Sequence, residues 1–334
     1  MWHCLPALVL CAFLACTVSA QQRSTVYTSV ISTGAFIVGA ANSETGLFYQ
    51  STTGDTVWTH TGPMRIRANG FAVDERSRGR TLYIAAGNGV HRSADAGATW
   101  RVLTDWRITE VLSIALDPRR PERLVIGTAY GVFVSTDTGA AWKPMNAGRK
   151  KPLFTSMVAA DPHAPDRYYC TAEDGLYRSD NGARTWKRTS LRAAAVRSVA
   201  VHPGRANMLA AGTENEGLHL STDAGRSWTR CTTGIAHETF WAIAFDPSNP
   251  SRIYAGGHES GVYLSRDFGA SWVRSVRGLE VTTVHSLAVD PLDGRVLYAS
   301  TSWGGIFRSR DAGESWEYAG LTDSQVVCVR MYAF

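Results

Sequence analysis

The residues that could support acid–base chemistry in this chain are carboxylates. Glu110, with Asp105 shortly before it, and Glu238 each stand just ahead of an apolar run of strand length. A loop entering a sheet can present such a side chain, and glycoside hydrolysis needs two carboxyl groups at a set separation. The competing reading is that they are ordinary loop acids. A second pattern, a serine two residues before an aspartate, has the residue types of a nucleophile and its partner. It recurs, however, as Ser93 and Asp95, Ser135 and Asp137, Ser221 and Asp223, Ser265 and Asp267, and Ser309 and Asp311. One active site is not built five times over, so these pairs belong to structure. There is no phosphate-cradling glycine loop and no nucleophile elbow. No Cys/His spacing suits a metal, and no cofactor is expected.

Composition narrows the classes further. The formal net charge of +5 over 334 residues comes without a long basic run, the densest cluster being Arg149-Lys150-Lys151. Nucleic-acid binders concentrate their basic charge in a stripe, so nucleic acid is excluded as the expected partner. Leu5 to Cys16 is a short apolar run followed by Val18-Ser19-Ala20, the small-residue pattern of an export signal. It falls short of the roughly 20 residues of a membrane-spanning helix. Residues 1–20 are therefore read as a leader, and 21–334 as one soluble domain, monomeric and periplasmic or extracellular. Three of the six cysteines lie in that leader. The others, Cys170, Cys231 and Cys328, are far apart and read as small buried residues.

The elements that position everything come from a repeat. Ser-x-Asp-x-Gly-x-x-Trp runs down the chain, closing on Trp100, Trp142, Trp228, Trp272 and Trp316. Two worn copies, from Ser51 to Trp58 and from Ser179 to Trp186, complete a series with steps of 42 or 44 residues. Each unit reads as four short strands. In the third these are Val111–Leu116, Arg123–Gly127, Gly131–Ser135 and Ala141–Pro144, separated by Gly, Pro and Asp turn signals. Four strands per unit of this length is the blade of a propeller. The expected fold is all-β: a seven-bladed β-propeller of four-stranded antiparallel blades, with the Ser-x-Asp turn between third and fourth strands. Ser and Asp can bond amides of their own turn, and Gly supplies a positive φ. In the first blade the second to fourth strands are expected between Ala35 and Arg65. Its innermost strand has two candidates, Tyr27–Ser32 and Val326–Met331, of which the carboxyl-terminal one is favoured.

These units resemble Asp-box (BNR) repeats, over essentially the whole mature chain. Similar repeats occur in sialidases, xyloglucan-cleaving endoglucanases, sortilin-type receptors and the photosystem II stability/assembly factor family. The last is most similar in plan, and the resemblance implies a non-enzymatic exported propeller that docks a partner. Sialidases have six blades and an Arg-Ile-Pro element; here there are seven units, and Arg65-Ile66-Arg67 lacks the proline. Xyloglucanases set two propellers against each other, whereas this chain has one. The resemblance specifies fold and leaves function to the site.

Chain direction places the fourth-to-first and second-to-third strand loops together on one face, called the top. Aligning the first strands on the following Asp-Pro or His-Pro sets Leu112, Ser156, Arg197, Trp241 and His285 in one column at the top of the channel. Their chemistry differs from blade to blade, as a ligand site would require and drift would also produce. The interblade loops add Arg65, Arg67, Trp106, Arg107, Lys150 and Lys151. The expected activity is therefore binding of a protein or glycan on the top face, by Arg197, Trp241, His285 and those loop residues. The alternative is an Asp-box glycoside hydrolase using Glu110 and Glu238.

Overall fold

A computed structural model describes residues 22–33, 45–50, 56–149 and 154–334. The leader, the first Ser-x-Asp copy at 51–55 and the site candidates Lys150 and Lys151 lie outside the described residues. Among those described, seven four-stranded antiparallel sheets form seven blades, and the one helical element is a 3₁₀ turn, Glu75–Ser77. The innermost strands of blades two to seven are Ala68–Val73, Val111–Leu116, Val158–Ala160, Val196–Val201, Ala242–Phe245 and Val284–Val289. They surround a central channel.

The second strand of each blade is packed on both faces by neighbouring blades. Its side chains are consequently buried without alternation, as in Leu82–Ala86, Leu124–Thr128 and Tyr168–Ala172. Apolar clusters fill the spaces between blades. One gathers Tyr254, Leu264, Leu287, Leu297 and Trp316 from blades six and seven.

The Ser-x-Asp turn is a closed set of hydrogen bonds. Ser93 Oγ donates to Asp95 at 2.7 Å and accepts from Gly97 N at 2.8 Å, while Asp95 accepts from Thr99 N at 2.9 Å. The same bonds recur at Ser135, Ser221, Ser265 and Ser309. In the worn copy Asn181 takes the aspartate's place, accepting from Thr185 N at 3.0 Å, and Ala183 takes the glycine's. The tryptophans do more than cover the turn. Trp100 donates to Thr61 O at 2.9 Å, Trp142 to Leu103 O at 3.1 Å and Trp186 to Met145 O at 2.8 Å. Each ties its blade to the preceding one.

Blade one has the favoured carboxyl-terminal strand innermost, and it corrects the expected place of the second strand. Both terminal candidates belong to it: Ser324–Ala333 is innermost and Ser24–Thr33 is the second strand, followed by Gly46–Gln50 and Thr59–His60. The second strand thus precedes Ala35. The two long strands pair antiparallel from Ser24 opposite Ala333 to Thr33 opposite Ser324. Taking strands from both ends into one sheet ties the first and last parts of the chain together by backbone hydrogen bonds and so holds the ring closed. Trp58 completes the closure by donating to Ala319 O of blade seven at 2.8 Å.

Candidate functional site at the channel mouth

The inner strands share a local irregularity that makes the site. Where the first strand meets the second, pairing skips one residue: Asn69, Leu112, Arg197, His285 and Val327 are each passed over. A bulged residue has no ladder partner, and its side chain is re-aimed by the extra twist. In blades four and six the strand begins just after the matching Ser156 and Trp241. The result is a cavity of about 400 Å³ at the top of the channel, lined by all seven of these residues with Glu214. The structure therefore brings together the whole sequence column of Leu112, Ser156, Arg197, Trp241 and His285. It adds Asn69 and Val327, which sequence alignment missed because neither strand ends in Asp-Pro or His-Pro.

Two features dominate the chemistry. Trp241 and His285 stack in parallel, with centroids 5.3 Å apart and planes at 7°, and the His258 ring lies 5.7 Å from that of Trp241 at a tilt of 41°. Burial pushes the His285 imidazole below its ordinary pKa, so it is neutral at pH 7. Its Nε2 is buried and makes no hydrogen bond among the described residues. Beside this platform Arg197 Nε donates to Glu214 at 2.5 Å, both side chains being one-third exposed. Ser156 bonds Thr171 at 2.9 Å, and Asn69 Nδ2 donates to Val111 O at 2.8 Å. The mouth thus offers a flat aromatic surface, a bridged ion pair and an unfilled imidazole nitrogen. Glu214 is the only carboxylate lining it among the described residues.

The remaining described candidates do not line this cavity. Arg65 and Arg67 are exposed on the loop between blades one and two. Trp106 is 80 % exposed, with the Arg107 guanidinium 5.1 Å over its ring and 3.4 Å from Asp105. Arg149 departs from its expected place in a surface cluster. It is buried, bonds Thr155 at 3.1 Å and stacks over Tyr177 at 5.3 Å. Glu110 and Glu238 do not line the cavity; both are exposed, and Glu238 pairs with Arg230 at 2.8 Å. Glu110 has φ +47° and is held by backbone bonds to Gly87 and Ala129. Ala195 in blade five has the same φ and equivalent bonds, so that position requires a backbone shape rather than a carboxylate.

Cys170 and Cys231 are buried, and burial pushes both thiols up to about 12. Cys328 lines the cavity. Among the described residues no group of three or more His, Cys, Asp or Glu could hold a metal. No helix there is long and apolar enough to cross a membrane.

No family model matches the chain, and no curated protein is similar to it at a significant level. Solved structures are similar in fold. The GH74 xyloglucanase from Xanthomonas campestris superposes with a TM-score of 0.66 at 20% identity, over 89% of this chain and 52% of that one. YCF48 from Cyanidioschyzon merolae gives 0.59 at 17% identity, over 76% and 86%. YCF48 bound to D1 peptide gives 0.60 at 15%, over 77% and 83%. The chain spans about half or less of the GH74 chains it matches, which range from 31% to 52%. At these identities the likeness shows the propeller fold alone, shared with the GH74 xyloglucanase and with YCF48.

Proposed function

We propose that this chain is an exported, non-catalytic binding or assembly scaffold that holds a protein or glycan partner on its top face. The observation that carries the reading is the channel mouth itself. Seven blades contribute seven chemically different side chains at one structural position, and those side chains converge on one cavity. The next position along the strand is small in six blades, as Gly70, Ser113, Ser198, Ala242, Ser286 and Cys328, so the variation falls on the residue that faces the cavity. An aromatic platform beside a guanidinium is the kind of group in which binding energy concentrates. The likeness to YCF48, whose structure contains a bound peptide and which this chain covers along most of its length, supports a peptide-like partner.

The glycoside hydrolase reading draws on the likeness to GH74 and on Glu110 and Glu238 as acid and nucleophile. The mouth, with a single carboxylate already bridged to Arg197, does not supply the pair that such chemistry requires. Purified protein incubated with β-glucans and sialosides tests the choice. No turnover is expected. Reproducible turnover lost in Glu110→Gln or Glu238→Gln, with binding retained, would establish an enzyme, because an amide cannot act as acid or nucleophile.

A further inference from the structure

The channel below the mouth contains a second irregularity among the repeats. Three residues past the bulge position, six blades carry the same side chain: Ala72, Ala115, Ala159, Ala200, Ala244 and Ala288. The seventh, built from the carboxyl-terminal strand, carries Arg330. The register confirms the equivalence. Arg330 pairs with Tyr27 of the second strand, as Ala115 pairs with Val125 and Ala200 with Ala210.

Arg330 stands where three spaces meet. It lines the mouth cavity and also two cavities below it, of about 630 and 460 Å³. The 460 Å³ space is bounded by aliphatic residues, Phe245 and Tyr332, with Arg330 the one charged side chain on its wall. Among the described residues Arg330 makes no ion pair. Its guanidinium carbon lies 5.9 Å from the Phe71 ring centroid. Glu214 in the mouth is bonded to Arg197, and Asp74, Glu75 and Asp117, which line the 630 Å³ space, make no ion pair with Arg330 among the described residues. A guanidinium keeps its charge in any protein environment. Arg330 is half-buried, and a partly desolvated charge with no bonded counter-ion costs free energy that Ala, which the other six blades use, would avoid.

We infer that the central channel is an anion site in which Arg330 binds an oxyanion, a carboxylate or phosphate. The planar guanidinium accepts such a group in a two-bond fork that no point charge reproduces, and the alanine column leaves room for it. The oxyanion can come from a free small ion or from an acidic chain end inserted through the mouth. The inference stands apart from the top-face reading, because a channel anion can be bound whether or not the rim docks a partner.

The test titrates the full chain, in buffer free of phosphate, sulfate and carboxylates, with inorganic phosphate, succinate, and a short glycine peptide with a free or amidated carboxyl terminus. Calorimetry and thermal unfolding are read in the native protein and in Arg330→Ala, Arg330→Gln and Arg330→Lys. At least one anion is expected to bind and raise the unfolding temperature of the native protein. Arg330→Ala, matching the other blades, should fold, be at least as stable without anion, and bind at least tenfold more weakly. Arg330→Gln provides the uncharged comparison at similar length should the alanine variant unfold. Arg330→Lys should recover part of the affinity. Phosphate or succinate binding identifies a free ion as ligand, and binding of the free but not the amidated peptide identifies a chain end. Equal responses in native and Arg330→Ala or Arg330→Gln protein, or no response to any of the probes, would overturn the inference.

Discussion

At His202 the imidazole Nδ1 accepts from the amides of Gly204 and Arg205, both at 3.0 Å, as the Asp117 carboxylate does from Arg119 and Arg120. Its Nε2 donates to Pro250 O at 3.0 Å, and the side chain is fully buried. Protonating Nδ1 would remove the acceptor for both amides, and burial lowers the pKa from its ordinary 6.5. A depressed histidine pKa leaves stability intact above 6.5 and erodes it as pH falls below 6.5 towards the folded value, since only the unfolded chain takes the proton there. His202→Asp restores the residue type used in five of the other six blades and should flatten the loss of stability between pH 7.5 and 5.5, measured by urea unfolding. His91, His219, His237 and His285 are depressed for the same reason and will leave part of the slope. An unchanged slope would mean that His202 does not titrate differently on folding. At the mouth, Trp241→Ala or Arg197→Ala should weaken capture of the native partner at least tenfold, or about 1.4 kcal/mol. Binding unchanged in both variants, at native stability, would move the docking surface elsewhere.

The turn between third and fourth strands sets an order among substitutions that differs from intuition about charge. Asp137 is exposed, whereas Ser135 is buried and accepts from the buried amide of Gly139 at 2.8 Å. Ser135→Ala orphans that amide and should cost about 1–3 kcal/mol, while Asp137→Ala should cost about 1 kcal/mol or less. Chemical denaturation of the two variants gives the order directly. Asp95, Asp223 and Asp267, lowered to about 2 by hydrogen bonds from Thr99, Ser227 and Ser271 with those of the preceding serine, add stability that is present above 3.8 and lost as pH falls towards 2. The bulge is the other decisive element. It is invisible to strand alternation, because the residue it expels is read as one more inward or outward position. What the sequence did show was variability at that position in the five blades whose strands end in Asp-Pro or His-Pro.

For the molecule as a ring, the two ends are one blade. Deleting residues 324–334 removes the innermost strand of blade one and should abolish the cooperative unfolding transition. Deleting 21–28 removes half of its second strand, Ser24 to Thr28, and should also be severe, although that segment taken alone looks like a dispensable tail. Circular dichroism melts and limited proteolysis of both truncations check this. A well-folded amino-terminal truncation would show that the closing strand suffices.

The sequence by itself determined the number of blades, the strand order within them and the turn that joins third to fourth strand. Those are local, repeated instructions: a Gly, an Asp and a Trp at fixed spacing act within a few residues of each other. It also named five of the seven mouth residues, since a repeat supplies its own alignment. Tertiary structure decided what depends on closing the circle. Ser24–Thr33 became a second strand because Ser324–Ala333 arrived to pair with it, 300 residues later in places such as Thr28 and Cys328. Arg149 turned inward because Thr155 and Tyr177 offered it a buried seat. Arg330 came to stand where the other six blades carry alanine only when the last strand took the seventh inner place, a position that no short-range pattern in the chain could assign.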